Sequence, residues 1–277
     1  MEFQYYSRNG KLLPIADAVV PLSNIEYAYG FGVYESIRVT HGKPLFVEDH
    51  IERLMSSAQQ IRLDHPFTEA FVANAISELM TATNAGAYNL KILLIGGRTA
   101  EDATLHIMCL NPLFPDKNLY SDGAKTITYP YERAFPQAKT LNMLQSYLAY
   151  RKAKEVGAYD ALLISRSGFI TEGTRTNFFC IKGDTLFTPL EKEILLGVTR
   201  KHVLGVAEQI GFEVKQTDIA LSDLALYDGA FLTSTSSKIM PIRSIDNYEF
   251  GGQPESLKKL VAAFDGFVSR YNESVGI

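Results

Sequence analysis

Polar and apolar positions along the chain follow two periods, one near two residues and one near three and a half. At the N-terminus, RNGK within YYSRNGKLLPI and HGK within SIRVTHGKPLFV set turn residues between apolar runs. This predicts two β-hairpins. VEDHIERLMSSAQQI and TEAFVANAISELM then carry apolar residues three and four apart, as amphipathic helices do, and NLKILLIG and TLHIMCL read as strands. PLFPDKNLYSDG, with two prolines, a glycine and mixed charge, reads as a linker. The pattern predicts a small N-terminal α/β domain over 1–112, a linker over 113–123 and a larger domain over 124–277.

The second part opens with strand AKTITYPY and the helix TLNMLQSYLAYRKAKEVG, which closes on glycine. Paired strands follow in DALLISRSGFITEG and TNFFCIKGDTLFTPL, turned at SRSG and KGD. Helix VTRKHVLGVAEQIG, strand FEVKQTDI, short helix SDLALY, strands AFLTSTSS and MPIRSID and a terminal helix ESLKKLVAAFDGFVSRY complete the chain. Strands mixed with helices of ordinary length predict a mixed α/β (α+β) fold with a mixed sheet or distorted barrel. No period of about 20 to 50 residues marks a repeat array.

Composition narrows the partners. The chain has 277 residues, 46% hydrophobic and 21% charged, enough to bury a full core. A formal net charge of -4 and the lack of any basic block argue against nucleic acid or an anionic membrane as partner. The N-terminus MEFQYYSRNGKLL has no charged flank followed by an apolar stretch, and no apolar run approaches the roughly 20 residues that span a bilayer. A cytoplasmic location is expected. Cys109 and Cys180 each sit in an apolar run and read as buried reduced thiols. His41, His50, His65, His106 and His202 show no metal-ligand spacing, so no metal is expected.

Candidate chemistry starts from what the common signatures lack. GFGVYE has no third glycine and leads into a strand, which makes it a packing or turn element. ILLGVTRK lacks the GK[ST] ending of a phosphate loop, and TSSK lacks the partner motifs of a serine-lysine nucleophile. Several groups would nevertheless suit an anion. Gly197-Val198-Thr199-Arg200 opens a helix whose first N–H groups and dipole face any ligand there. Thr235, Ser236 and Ser237 could add hydroxyl and backbone donors, and Arg53 a guanidinium fork. Each also has an ordinary structural reading, as a strand-end turn or a solvated helix face. Glu172 ends an apolar strand just before a glycine, where it is either an exposed turn residue or a carboxylate needing a cationic partner. Lys139 is the one charged residue in FPQAKTLNMLQ, at what reads as the mouth of a helix. It either reaches back to water or serves as an amine nucleophile toward a carbonyl.

VYESIR, HIERL, KTLNML, ITEGTRTNFF, GVTR and TSTSSKIMPI, taken in order from about Tyr29 to Asp246, resemble the class IV pyridoxal-phosphate aminotransferases. This fold type IV family includes branched-chain and D-amino acid aminotransferases and aminodeoxychorismate lyase. The resemblance implies that Lys139 is the Schiff-base lysine and the base that moves a proton between Cα and the cofactor. It implies that Glu172 holds the pyridinium nitrogen protonated, and that Arg53, the Val198 and Thr199 amides and Thr235, with Ser236 beside it, grip the phosphate of pyridoxal 5'-phosphate. It further implies a small N-terminal and a larger C-terminal pseudo-barrel domain, the latter carrying the lysine, the cofactor in the cleft between them, and a homodimer.

The same resemblance implies transfer of an amino group from an amino acid to a 2-oxo acid. KTLNML, FLTSTSSKIMPI and Tyr34 are closest to the D-amino acid enzymes, so D-alanine or D-glutamate is the favoured donor. Branched-chain L-amino acid transamination is the alternative, and an aminodeoxychorismate lyase a further one. The arginine-histidine pair expected to trap the substrate carboxylate in the D-enzymes is not intact, because Arg98 has no histidine nearby until His106. Arg175 stands where the family usually has a small residue, and Lys238 where an acid is common. The carboxylate is therefore expected to use a set drawn from Arg98, Lys91, Lys238, Arg175 and Arg38.

Overall fold

The computed structural model describes residues 2–112 and 114–274, so Met1, Leu113 at the head of the expected linker, and 275–277 lie outside the described residues. The chain divides into two compact units. The first takes the chain up to residue 112, Ala138–Met143 and the residues from Asn272; the second takes the remainder.

In the first unit the chain runs through β1 (Tyr5–Arg8), β2 (Lys11–Pro14), α1 (Ile25–Ala28), β3 (Gly32–Thr40), β4 (Lys43–Pro44), α2 (Val47–Gln60), α3 (Glu69–Thr83), β5 (Ala87–Ile95) and β6 (Thr104–Leu110). The strands form one sheet in the order β2-β1-β6-β5-β3-β4. Both expected hairpins are present: Asn9 and Gly10, then His41 and Gly42, adopt φ between 50° and 75°, the left-handed pair that a two-residue hairpin turn requires. Thr68 caps α3 by accepting from the Phe71 N–H at 3.1 Å. Alternation does the rest. Val33, Ile37, Val39, Leu90, Ile92, Leu94, Leu105 and Ile107 pack with α2 and α3 residues such as Leu54, Val72 and Leu79 in one core, while Tyr34, Ser36 and Arg38 face the opposite side.

His106 lies on β6, stacked on Tyr6 with ring planes 5° apart. Burial, then the Arg8 charge, brings its pKa down to about 4. An unfolded histidine titrates near about 6.5, so as pH falls from about 6.5 toward 4 the unfolded chain binds a proton that the native state refuses. That stabilisation is complete above the window and lost within it. His106→Gln should show a shallower fall in denaturant midpoint between pH 7 and pH 4.5 than the parent does.

The second unit contains α4 (Asn118–Asp122), β7 (Ala124–Pro130), α5 (Leu144–Glu155), β8 (Asp160–Ile164), β9 (Ile170–Gly173), β10 (Asn177–Lys182), β11 (Thr185–Thr188), α6 (Val198–Gln209), β12 (Glu213–Gln216), β13 (Gly229–Ser234), β14 (Lys238–Ile245), β15 (Tyr248–Glu249) and, up to Tyr271, α7 (Glu255–Ser274). The strand order is β12-β11-β10-β13-β14-β7-β8-β9, and β9 also pairs β10 through Glu172 and Asn177. The path from β10 back to β9 therefore closes, as expected of a distorted barrel. Leu162, Ile170, Phe178, Leu232, Met240 and Ile242 share its core.

Three readings differ from what the structure shows. The linker stretch contains α4 and counts with the second unit beyond Leu113. The helix read from Thr140 starts only at Leu144. Ala138–Met143 counts with the first unit, so Lys139 sits there and not in the larger domain. The cause is backbone pairing: Tyr34 N donates to Lys139 O at 2.9 Å, Leu141 N donates to Gly32 O at 2.8 Å, and Val33 bridges Thr140. Edge groups of β3 thus take a carbonyl and an amide that helical propensity would have used locally. Gly32 makes the approach feasible, since a Cβ there would lie 2.6 Å from Leu141 Cδ1 and 2.8 Å from Leu94 O.

Candidate active site

Lys139 is held by its backbone. Besides the bond from Tyr34, its own N–H donates to Ser57 Oγ on α2 at 3.1 Å, and Ser57 is fully buried. Its Nζ lies 4.6 Å from the centroid of the Tyr34 ring, and Lys91 Nζ lies 3.5 Å from the same centroid. A cation at that range is attracted to the ring face. The register explains the gathering: Tyr34 pairs Leu93, Ser36 pairs Lys91 and Arg38 pairs Asn89, so all six project from the sheet face opposite α2. The Tyr34 hydroxyl points to Met143 Sδ at 3.6 Å. The structure thus brings Lys139, Tyr34 and Lys91 together, with Arg38 two pairs along. Arg98 stands apart, 84% exposed and 4.0 Å from Glu26.

Arg53 lies on the helix-covered side of the same sheet. Its Nε donates to Glu35 Oε1 at 2.7 Å and its Nη2 to Glu35 Oε2 at 2.8 Å, while His50 Nδ1 meets Glu35 Oε2 at 2.8 Å. Burial would raise the Glu35 carboxyl, but the charge of Arg53, then His50 and their hydrogen bonds, outweigh it and hold the group well below the usual carboxylate range. For His50 burial dominates and lowers the pKa despite Glu35.

In the second unit Glu172 is buried, with a side chain 4% exposed. Arg133 Nη1 donates to its Oε1 at 3.0 Å and Leu195 N to its Oε2 at 3.1 Å. The cationic partner that a buried carboxylate demands is thus Arg133. Asp160 shapes the turn that follows Glu172: its carboxylate accepts from Thr174 N at 3.2 Å, Thr174 Oγ1 at 2.5 Å, Thr176 Oγ1 at 3.0 Å and Ala161 N at 2.8 Å. A Cβ at Gly173 would fall 2.5 Å from Asp160 Oδ2, so no other residue fits there. Arg175 points out of this turn, exposed, with its guanidinium carbon 4.1 Å from the Tyr150 ring centroid.

Gly197 is the N-cap of α6, with no side-chain cap, and a Cβ there would meet Asn177 Oδ1. The amides of buried Val198 and Thr199 begin this 12-residue helix. Thr235 and Ser236 lie half-buried in the turn between β13 and β14, where the Ser234 hydroxyl meets those of Ser236 at 3.2 Å and Ser237 at 2.7 Å. Lys238 is committed to Asp265 on α7 at 2.6 Å. Nothing in the sequence marked Arg133, since ERAF reads as an ordinary polar turn, and Glu35, His50 and Ser57 looked like routine strand and helix residues. The three-and-four spacing of His50, Arg53 and Ser57 along α2 was the available signal.

Among the described residues no group of three or more His, Cys, Asp or Glu is placed to hold a metal ion, and no helix is long and apolar enough to cross a membrane. Cys109 and Cys180 are both free and buried.

The family model for amino-transferase class IV matches residues 32–245. A D-alanine aminotransferase of Bacillus licheniformis is 30% identical over 263 residues, covering 91% of this chain and 93% of its own. A Methanocaldococcus jannaschii protein provisionally named a branched-chain-amino-acid aminotransferase is 30% identical over 283 residues, covering 96% and 97%. The crystal structure of Escherichia coli branched-chain amino acid aminotransferase superposes with a TM-score of 0.88 at 25% identity, covering 96% of this chain and 94% of that one.

Proposed function

This chain belongs to the class IV aminotransferases, and we propose that it transfers the amino group of a D-amino acid with a small or acidic side chain, D-alanine or D-glutamate, to a 2-oxo acid. Pyridoxal 5'-phosphate is the cofactor of this family. The residues present fit it. The α6 N-terminus has no side-chain cap, and Gly197 lies against Asn177 where a side chain could not, which suits a phosphate monoester at the Val198 and Thr199 amides. Arg53 in the first unit is a cation, and Thr235 and Ser236 in the second carry hydroxyls, of the chemistry that a phosphate takes. Glu172, ionic and buried, suits a ring nitrogen that must stay protonated.

Bound there, the cofactor supplies a carbonyl that takes the amino group and a ring that draws electron density from the bond being broken. The chain supplies the rest. With the cofactor bound, Lys139 Nζ would be the amine that condenses with its carbonyl, losing water, and, once the substrate amine has displaced it, the base that would take the Cα proton and deliver it to the former carbonyl carbon. Its backbone, fixed to Tyr34 and Ser57, limits where that amine can reach. Glu172 would hold a proton at the ring nitrogen, its carboxylate fixed by the hydrogen bonds from Arg133 and Leu195 N.

The observation that carries the substrate reading is the sheet face beside Lys139. Tyr34, Ser36, Arg38, Asn89 and Lys91 line it with Leu93, a mainly polar and cationic surface that suits a carboxylate and would leave a branched aliphatic side chain beside charged groups. The family likeness around Lys139 and Tyr34 favours the D hand. Half-reactions with single enantiomers test it: D-alanine or D-glutamate should bleach the cofactor band at least about tenfold faster than L-leucine or L-valine, and pyruvate or 2-oxoglutarate should restore it. The reverse order would assign branched-chain L-amino acids. Failure of any 2-oxo acid to restore the band would favour a lyase.

The working form is proposed to be a cytoplasmic homodimer. Leu22 and Tyr29 are 104% and 77% exposed, apolar surface that a second copy would cover.

A further inference from the structure

A carboxylate inside the first core needs a reason. Glu35 lies on β3 between Val33 and Ile37, on the side packed against α2, and is fully buried. An ion pair in such a place is a poor way merely to fasten a helix to a sheet, because well-packed apolar residues do that as well or better. What the pair does achieve is orientation. Arg53 commits the Nε–Nη2 edge of its planar fork to both oxygens of Glu35, at 2.7 and 2.8 Å, which turns the other edge away from the carboxylate in one fixed direction. His50 Nδ1 and Ser36 N, at 2.8 and 3.3 Å from Oε2, keep the carboxylate itself from rotating. The same face of α2 carries Ser57, whose hydroxyl accepts from Lys139 N at 3.1 Å. One helix therefore fixes both a guanidinium and the backbone of the reactive amine.

We propose that Glu35 and His50 are positioning residues that set the Arg53 guanidinium for the phosphate of the cofactor whose carbonyl Lys139 takes. The proposal rests on the reading of Arg53 as a phosphate ligand. Neither Glu35 nor His50 touches the cofactor; both act through Arg53. A loosened fork would still be cationic but would meet the phosphate in many orientations, so the cost should fall on phosphate recognition alone.

The test compares dissociation constants for pyridoxal 5'-phosphate and for pyridoxal, which lacks the phosphate, by absorbance titration of parent and variants freed of cofactor, with circular dichroism to confirm the fold. Arg53→Ala examines the underlying reading: it should reduce the preference for the phosphorylated form by about 10- to 100-fold, the range of one or two charge-assisted hydrogen bonds. An unchanged preference would remove Arg53 from the phosphate site and the proposal with it. Glu35→Gln should also reduce the preference, by about tenfold, with pyridoxal affinity within about threefold of the parent. Added to Arg53→Ala it should cause no further loss, because both changes act on one contact. If Arg53→Ala behaves as expected while Glu35→Gln leaves the preference intact, or lowers affinity for both compounds alike, the pair is structural and the positioning role is overturned. Should Glu35→Gln not fold, His50→Leu carries the test: it should lower the preference, and His50→Asn, whose amide nitrogen falls near the place of Nδ1, should restore it. A His50→Leu variant with the parental preference would overturn the proposal.

Discussion

Lys139→Ala is expected to bind pyridoxal 5'-phosphate yet turn over at least about a thousandfold more slowly than the parent, since in the proposed function one residue supplies both the covalent attachment and the proton transfer, and the latter alone contributes about 10²–10⁴. Stability should hardly change. The segment around residue 139 is anchored by main-chain bonds to Tyr34 and Ser57 that alanine keeps, and the lost Nζ contact with the Tyr34 ring is worth no more than about 1 kcal/mol at a partly open site. The measurement is direct: the parent should be yellow, and borohydride should fix the cofactor to a peptide containing residue 139. Attachment at Lys91, the other ammonium on the Tyr34 ring, would transfer the role to that residue.

Glu172→Gln should cost turnover by a factor of about a hundred or more and also some stability, for a reason visible in its partners. Both oxygens of Glu172 accept hydrogen bonds, one from Arg133 Nη1 and one from Leu195 N. An amide accepts at one end only. Whichever way glutamine is turned, its NH₂ meets a donor, at a penalty of about 1–3 kcal/mol. The catalytic loss has a separate origin, because a neutral amide cannot hold a proton on the ring nitrogen. Thermal unfolding and steady-state turnover measured on one preparation separate the two effects. A variant as active as the parent would take Glu172 out of the site, whatever its stability.

Lys139 and Glu172 also mark where sequence reading succeeds and where it stops. Hairpins, helices and most strands follow from local periodicity and turn chemistry, as at Asn9-Gly10 and along α2, because the competing interactions there are short-range. The apolar character of the run after Lys139 was equally plain, yet the helix was read four residues too early. Residues 140–143 have helical propensity, but the open edge of β3 offers their backbone a better partner more than a hundred residues away in sequence. No local pattern records such an edge.

By itself, the sequence determined the mixed α/β composition, the barrel-like second sheet and, through six ordered motifs, the class IV aminotransferase family. The tertiary structure alone decided how the candidate residues are held. It placed Lys139 with the first unit, gave Glu172 the Arg133 partner that its burial demanded, bound Arg53 to Glu35 and His50, paired Lys238 with Asp265 and left Arg98 in solvent. Periodicity reports which face of an element is buried. It carries no information about which distant charge will meet another inside, since an ion pair depends on the register of strands and the packing of a helix that exist only once the chain has folded.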